Sequence, residues 1–384
     1  MGHRVLMLGA GYAGLTAARR LAALLRRTDT EITLINDRPD FVERLRLHQV
    51  AAGQDLPSHD LADLLSGTSV RLRVARVSAV DAEARTVVAD GTAFAYDTLV
   101  YALGSAAAPM PGAGDVWNAA SPAAAMRLRD RLARAGAGER VLVAGGGLTG
   151  IELATEIAES RPDLPVTLAT GGELGDWLAP AAQRHLRRRL HHLGIRTREG
   201  VRIERFTPDG AVTGDGTLLA ADLPIAATGF RANPIAAAAG LDAAPSGQVA
   251  VDAAMRSLSH PDVYVIGDAA WANGPGGRPL RMSCSSGMPT AWIAAGDLAA
   301  RLTDRRPSRL RVRYFHQAIS LGRSDAVVQF VTADDRPKRA VLTGPAAVRY
   351  KEALCRTGVW AVAHDLPARP KPAKRPTTSG LPAR

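Results

Sequence analysis

Cysteine is nearly absent: two residues in 384, Cys284 and Cys355, far apart in the sequence and in no pairing motif. A structural disulfide framework is excluded, and the scarcity suits a reducing compartment. Aromatic residues are also few, at 4% of the chain. They do not alternate with the basic residues, so no nucleic-acid surface is expected. No apolar run approaches the roughly 20 residues that span a bilayer. The chain enters strand-like Arg4–Leu8 without a charged segment and apolar signal core. The expectation is a cytoplasmic protein, at most peripheral at the inner face of a membrane.

Alanine and arginine are what the sequence has in excess. The formal net charge is +11 and the isoelectric point about 10.4. Arginine stands in for lysine throughout, as GC-rich coding would produce, and the arginines are scattered. Anionic dinucleotides, or an acidic membrane surface, are sufficient partners for this balance. Hydrophobic residues at 46% and charged residues at 22% are ordinary for a globular enzyme. The length allows two or three domains.

Near the start, an apolar strand (Arg4–Leu8) runs into Gly9-Ala10-Gly11-Tyr12-Ala13-Gly14, then an alanine-rich helix and a second strand (Glu31–Ile35). In such a βαβ unit the first glycine permits the tight turn and the second lets backbone approach a pyrophosphate. The third allows helix and strand to pack closely. The pyrophosphate rests on the free N–H groups of the helix N-terminus. An acid is expected at the end of the second strand to hold ribose hydroxyls; here Asn36 stands there, followed by Asp37. Either residue can make that contact.

The pattern then repeats. Arg140–Ala144 reads as a strand, Gly145-Gly146-Gly147-Leu148-Thr149-Gly150 as its turn, and Val166–Ala169 as the partner strand. Two such units imply two separate dinucleotides. The second strand ends at Thr170, followed by Gly171, Gly172 and Glu173. Neither an acid for NAD nor an arginine for the 2′-phosphate of NADP occupies the position, so NADH and NADPH both stay open. Between the units, VRLRVARVSAV, RTVVAD and TLVYAL read as strands of a small sheet. A helix is expected from about Pro289 to Leu302, and two strands and a helix between 309 and 364. The segment after 366 is rich in Pro, Lys and Arg and is expected to be disordered.

Taken with Tyr96–Ser105, Ala227–Arg231 and Val263–Ala269, this order of motifs resembles the two-dinucleotide flavoprotein reductases of the pyridine nucleotide-disulfide oxidoreductase superfamily, nearest to type II NADH dehydrogenases. The resemblance covers about residues 4 to 305. It implies an α/β fold of two Rossmann-like domains, an FAD domain split by an inserted NAD(P) domain, with a small C-terminal region. The expected boundaries are 1–112 and 235–305 for FAD, 113–234 for NAD(P), 306–365 for the C-terminal region and 366–384 for the basic tail. The cofactors implied are FAD and NADH or NADPH. For FAD, the resemblance and the turn point to Gly9, Gly11, Tyr12, Ala13, Gly14, Asn36, Asp37, Ala102, Gly104, Gly267 and Asp268. Asp268 takes the position that holds the ribityl chain; its alternative is a plain helix cap. For NAD(P) they are Gly145, Gly147, Leu148, Thr149, Gly150, Thr170, Gly229 and Glu152. Glu152 matches an acid near the nicotinamide, or else is a helix-face charge. No metal site is expected.

Three departures shape the functional expectation. The redox Cys-x4-Cys pair of the disulfide reductases is missing, which excludes their dithiol relay. The glutamine-bearing stretch of quinone reducers is replaced by Arg281–Ala291, without glutamine. In Phe41–Ala51, His48 stands where relatives carry an aromatic residue, beside Arg44 and Arg46, whose guanidinium forks suit FAD phosphates or a solvated face. His48 can donate a proton or hydrogen bond beside the flavin, or be structural. Cys284 near the flavin has no sign of a lowered pKa. Ala346–Trp360 reads as a packing helix or a basic membrane-surface helix.

The expected reaction passes hydride from NAD(P)H to FAD and then electrons to a small acceptor, a quinone or quinone-like molecule. His48 and Glu152 are the candidate catalytic residues. The alternatives are oxygen, in a tailoring oxidase or monooxygenase, a small electron carrier such as a ferredoxin, and a redox sensor with incidental turnover. Peripheral membrane contact and a homodimer stay open.

Overall fold

The computed structural model describes residues 2–112, 116–303 and 310–364. The expected basic tail, 366–384, lies outside the described residues.

The first segment runs through β1 (His3–Leu8), α1 (Tyr12–Leu25), β2 (Thr30–Asn36), α2 (Leu47–Ala51) and α3 (Leu61–Leu64). It continues with β3 (Val70–Val74), β4 (Val77–Asp81), β5 (Thr86–Ala89), β6 (Thr92–Ala95), β7 (Thr98–Tyr101) and β8 (Ser105–Ala107). The second comprises α4 (Pro122–Ala133), β9 (Val141–Ala144), α5 (Leu148–Ser160), β10 (Val166–Ala169), α6 (Pro180–His192) and β11 (Arg196–Arg198). β12 (Ile203–Thr207), β13 (Gly210–Thr213), β14 (Leu218–Ala220), β15 (Leu223–Ala226) and β16 (Phe230–Ala232) complete it. Then come α7 (Ile235–Ala238), β17 (Val249–Ala250), β18 (Val263–Val265), β19 (Ala270–Trp271) and α8 (Cys284–Leu302). β20 (His316–Ser320), β21 (Ala326–Val331), β22 (Pro337–Thr343) and α9 (Gly344–Ala363) end the described chain.

Strands that are apolar on both faces belong inside parallel sheets covered by helices. β7 and β9 are buried at every residue, and each lies within such a sheet. The first has the order β18-β7-β1-β2-β3 and the second β11-β10-β9-β15. β18 enters the first sheet beside β7, with Val263 opposite Leu99, although the whole second sheet intervenes in sequence. The first module is therefore split and the second inserted, as the motif order implies. β8 and β16, the outgoing and returning crossovers, zip together as an antiparallel pair, Ser105 opposite Ala232.

Four local expectations change. TLVY does not join a small sheet; its four buried residues make it the neighbour of β1, with Val5 opposite Thr98. The long run from Val70 divides at Ala75, whose N–H donates to Asn36 O at 2.8 Å. Its first half extends the parallel sheet, and only its second half joins the small antiparallel one with β5 and β6. Helix α8 begins at Cys284, before Pro289, because Ser283 O already accepts from the Gly287 N–H. The C-terminal region has three strands, not two, before its helix.

α9 packs against α1 and the β20–β22 sheet. Ala347, Cys355 and Val362 are buried on it, so the packing-helix reading of Ala346–Trp360 is the one observed. Among the described residues no helix is long and apolar enough to cross a membrane.

Candidate functional site

The two glycine turns are the same structure built twice. Gly9 N–H donates to Ile35 O and Gly145 N–H to Ala169 O, both at 2.8 Å. Gly9 and Gly145 have φ of +91° and +127°, which a side chain would strain. Gly11 and Gly147 cap α1 and α5 with φ −74° in both. A side chain on Gly14 would strike Gly9 O, and one on Gly150 would strike Gly145 O. A Cβ on Gly11 or Gly147, in contrast, would meet no atom within 4 Å. Each turn thus presents bare backbone and a helix N-terminus over open space, which fits a pyrophosphate. Tyr12 does not point into that space: it packs edge-on against Phe41, centroids 4.9 Å apart.

Other predicted residues divide. Asn36 braces the first turn: its Oδ1 accepts from Ala10 N–H and its Nδ2 donates to Arg38 O, each at 2.9 Å. Asp37 is exposed beside it. Thr170 lies against Gly146, where its side chain blocks any larger residue in the second turn. Ala13 meets Gly267 and Gly287 so closely that a Cβ on Gly267 would stand 3.0 Å from the Ala13 Cβ. The N-termini of α1 and α8 therefore converge on Gly267-Asp268.

Asp268 accepts from Ser105 Oγ at 2.6 Å and lies 3.9 Å from Arg44. Arg44 donates to Ser105 O at 2.7 Å and sits 4.8 Å over the Phe230 ring. It clasps both crossovers, leaving Gly104 and Gly229 as their hinging glycines at φ +65° and +111°. Burial lowers the guanidinium's proton affinity, with Asp268 opposing, and Nη2 is buried without a partner. An unmatched cationic donor beside Asp268 fits a polar, anionic cofactor. Arg46, also expected at the FAD phosphates, has partners within the chain. It is held by Glu352 at 2.5 Å, Gln49 at 2.9 Å and Glu43 at 3.7 Å. Carboxylates already satisfy it, and its work is to tie α2 to α9.

His48 and Glu152 come together. His48 Nδ1 lies 3.6 Å from Glu152 Oε2, and Nε2 is buried without a partner. Lys351, from α9, pairs with the same carboxylate, and Ser320 N–H donates to it at 3.1 Å. Burial alone would raise the Glu152 pKa; Lys351, His48 and the Ser320 N–H outweigh it and hold the carboxyl below its ordinary value. Burial pushes His48 down to about 4 against the pull of Glu152. A neutral imidazole, a carboxylate and an ammonium thus share one buried site.

Lys351, Ser320 and Glu352 escape sequence reasoning, because each reaches α2 or α5 from the C-terminal sheet and helix with no motif of its own. The cysteines also show a relationship that their spacing does not reveal. Cys284 and Cys355 are far apart in sequence but enter one neighbourhood with Tyr12. Burial first, then Cys355, pushes the Cys284 thiol up to about 11, and burial raises Cys355 too.

Two glycine turns of one geometry, on two parallel sheets joined by paired crossovers, define an oxidoreductase of the two-dinucleotide class. The chain belongs to the pyridine nucleotide-disulphide oxidoreductase family, whose model matches residues 3–297. It is an NAD(P)H oxidoreductase that uses FAD. It is 28% identical over 349 residues to an NADH dehydrogenase-like protein of Mycobacterium tuberculosis, covering 84% of this chain and 87% of that one. In fold it is similar to the sulfide:quinone oxidoreductase of Aquifex aeolicus, with a TM-score of 0.80 at 21% identity over 94% and 92% of the two chains. It is likewise similar to NDH2 of Plasmodium falciparum solved with NADH, with a TM-score of 0.77 at 14% identity over 94% and 98%.

Proposed function

We propose that this oxidoreductase delivers its electrons to a quinone or quinone-like small molecule. The observation that carries this reading is the unpartnered, buried Nε2 of His48, backed by Glu152 and Lys351. Reduction of a quinone consumes two electrons and two protons, so its site needs ionisable groups shielded from bulk water. His48, Glu152 and Lys351 are such groups. A disulfide acceptor would instead need an attacking thiolate, and burial holds both thiols of this chain protonated. The quinone named for the Aquifex neighbour and the NADH dehydrogenase-like name of the mycobacterial relative point the same way.

FAD, when bound, supplies hydride acceptance and onward electron transfer. Gly9, Gly11, Tyr12, Ala13 and Gly14 would carry its pyrophosphate on backbone N–H groups. Asp37, with Asn36 holding the turn, would take ribose hydroxyls. Arg44, Ala102, Gly104, Gly267 and Asp268 would border the rest. Gly145, Gly147, Leu148, Thr149, Gly150, Thr170 and Gly229 would hold the nicotinamide nucleotide. Glu152 would orient His48 and keep the Lys351 ammonium in place. His48 would offer Nε2 to the acceptor's oxygen, and Lys351 would supply positive charge as that oxygen gains electrons.

The test is an acceptor panel on holoenzyme reduced anaerobically with NAD(P)H. Fast reoxidation by a soluble quinone is expected. Faster reoxidation by air, by a ferredoxin or by a small disulfide would overturn the assignment.

A further inference from the structure

Glu156 lies on α5 one turn beyond Glu152, so both carboxyls share the helix face turned toward α2. It is 1% exposed. Its Oε2 accepts from Gln54 Nε2 at 2.9 Å, and its Oε1 is buried without a partner. Gln54 follows the helix that carries His48. A buried carboxyl with an empty oxygen is costly when ionised, so packing gives no reason to place a glutamate here.

The charged groups facing Glu156 come from three sides. Glu152 and Glu159 are on its own helix, Lys351 reaches in from α9, and Arg323 approaches from the turn between β20 and β21. Arg323 Nε stands 3.7 Å from Glu156 Oε2, while its side chain is 53% exposed. That turn is fixed in place: Glu159 accepts from the Arg323 N–H and from Ser324 Oγ, and pairs with Arg189 of α6 at 2.7 Å. The arrangement is a line of ionisable groups from solvent at Arg323, through Glu156, to Glu152 and His48.

We propose that Glu156 is a positioning residue that loads a proton from the Arg323 side and passes it toward the Glu152–His48–Lys351 cluster. This rests on the acceptor reading above, which requires protons at that cluster. In each cycle the Glu156 carboxylate takes one proton from water at the Arg323 turn and becomes the neutral acid. It then gives that proton inward, through the Glu152 carboxylate to His48 Nδ1 as His48 yields its Nε2 proton to the acceptor oxygen, so that Glu156 and Glu152 both return to carboxylate and His48 to the neutral imidazole. No electron moves in this step. Burial, only partly offset by Arg323, pushes the carboxyl up to about 7, so both forms are populated near neutrality.

Glu156→Gln keeps the shape and cannot carry the proton; Glu156→Asp keeps the acid. With holoenzyme and a soluble quinone, wild-type flavin reoxidation should slow as pH rises through neutrality. Glu156→Gln should be about tenfold slower at pH 6 and lose that pH dependence, Glu156→Asp should restore part of both, and flavin reduction by NAD(P)H should be unchanged. In infrared titration of the protein alone, a protonated-carboxyl band titrating near neutral pH should vanish in Glu156→Gln. A Glu156→Gln enzyme with the wild-type pH profile, or a wild type with no such band, overturns the relay. A wild type that quinone does not reoxidise, but air or another acceptor does, overturns the acceptor reading and takes the relay with it.

Discussion

His48 Nδ1 stands 3.6 Å from the Glu152 carboxylate, and the same carboxylate is held by Lys351 from an element 199 residues away. The imidazole is pinned at one nitrogen and bare at the other. Its state follows from its surroundings: burial favours the neutral form more strongly than Glu152 favours the charged one.

His48 therefore gives stability a definite pH dependence. Its folded pKa of about 4 lies below the ordinary 6.5, so the unfolded chain binds more protons between those values. Its share of the stability is complete above pH 6.5 and is lost as pH falls toward 4. Urea unfolding of wild type and His48→Gln from pH 4.5 to 7.5 should show the wild type losing ground to the variant at acid pH. Parallel curves would contradict this.

Removing one partner of the buried ion pair leaves the other uncompensated. Glu152→Ala should cost about 3–5 kcal/mol, and Lys351→Met a similar order. The double variant should lose clearly less than the two single losses combined, because the charges are coupled. Simple additivity in urea melts would mean that the pair is not formed in solution.

The first glycine turn separates folding from binding. Gly14→Val should fail to fold, since a side chain there meets the Gly9 carbonyl. Gly11→Ala should fold with wild-type circular dichroism, because its Cβ meets nothing, yet purify with little FAD. A Gly11→Ala protein fully loaded with FAD would move the pyrophosphate elsewhere.

The two thiols should be sluggish. With Cys284 at about 11 and Cys355 also raised by burial, iodoacetamide should label both slowly at pH 7.5 in the native protein and quickly in urea. Cys284→Ser should retain turnover. Rapid native labelling, or loss of turnover in Cys284→Ser, would restore a redox role to sulfur.

The sequence made legible much of what is local. The glycine turns and their helices follow from residues within a few positions of one another, while the split module and the place of Gly267-Asp268 came with the family resemblance. The meeting of His48 with Glu152 was not legible, although both were singled out, because it depends on how α2 packs on α5. Lys351, Ser320 and Glu352 were invisible, being single polar residues on a C-terminal sheet and helix with no spacing rule. The partners of Arg46 were not legible either, because an arginine beside a nucleotide motif reads as a phosphate ligand or a solvated charge until Glu43 and Glu352 are placed around it.

The most direct test of the central claim mixes oxidised holoenzyme with NADH or NADPH in the absence of oxygen and follows flavin absorbance by stopped flow. Bleaching by at least one nucleotide is predicted, greatly slowed in Gly147→Val, whose FAD content should be normal. No bleaching by either nucleotide, or bleaching indifferent to Gly147→Val, would contradict the account.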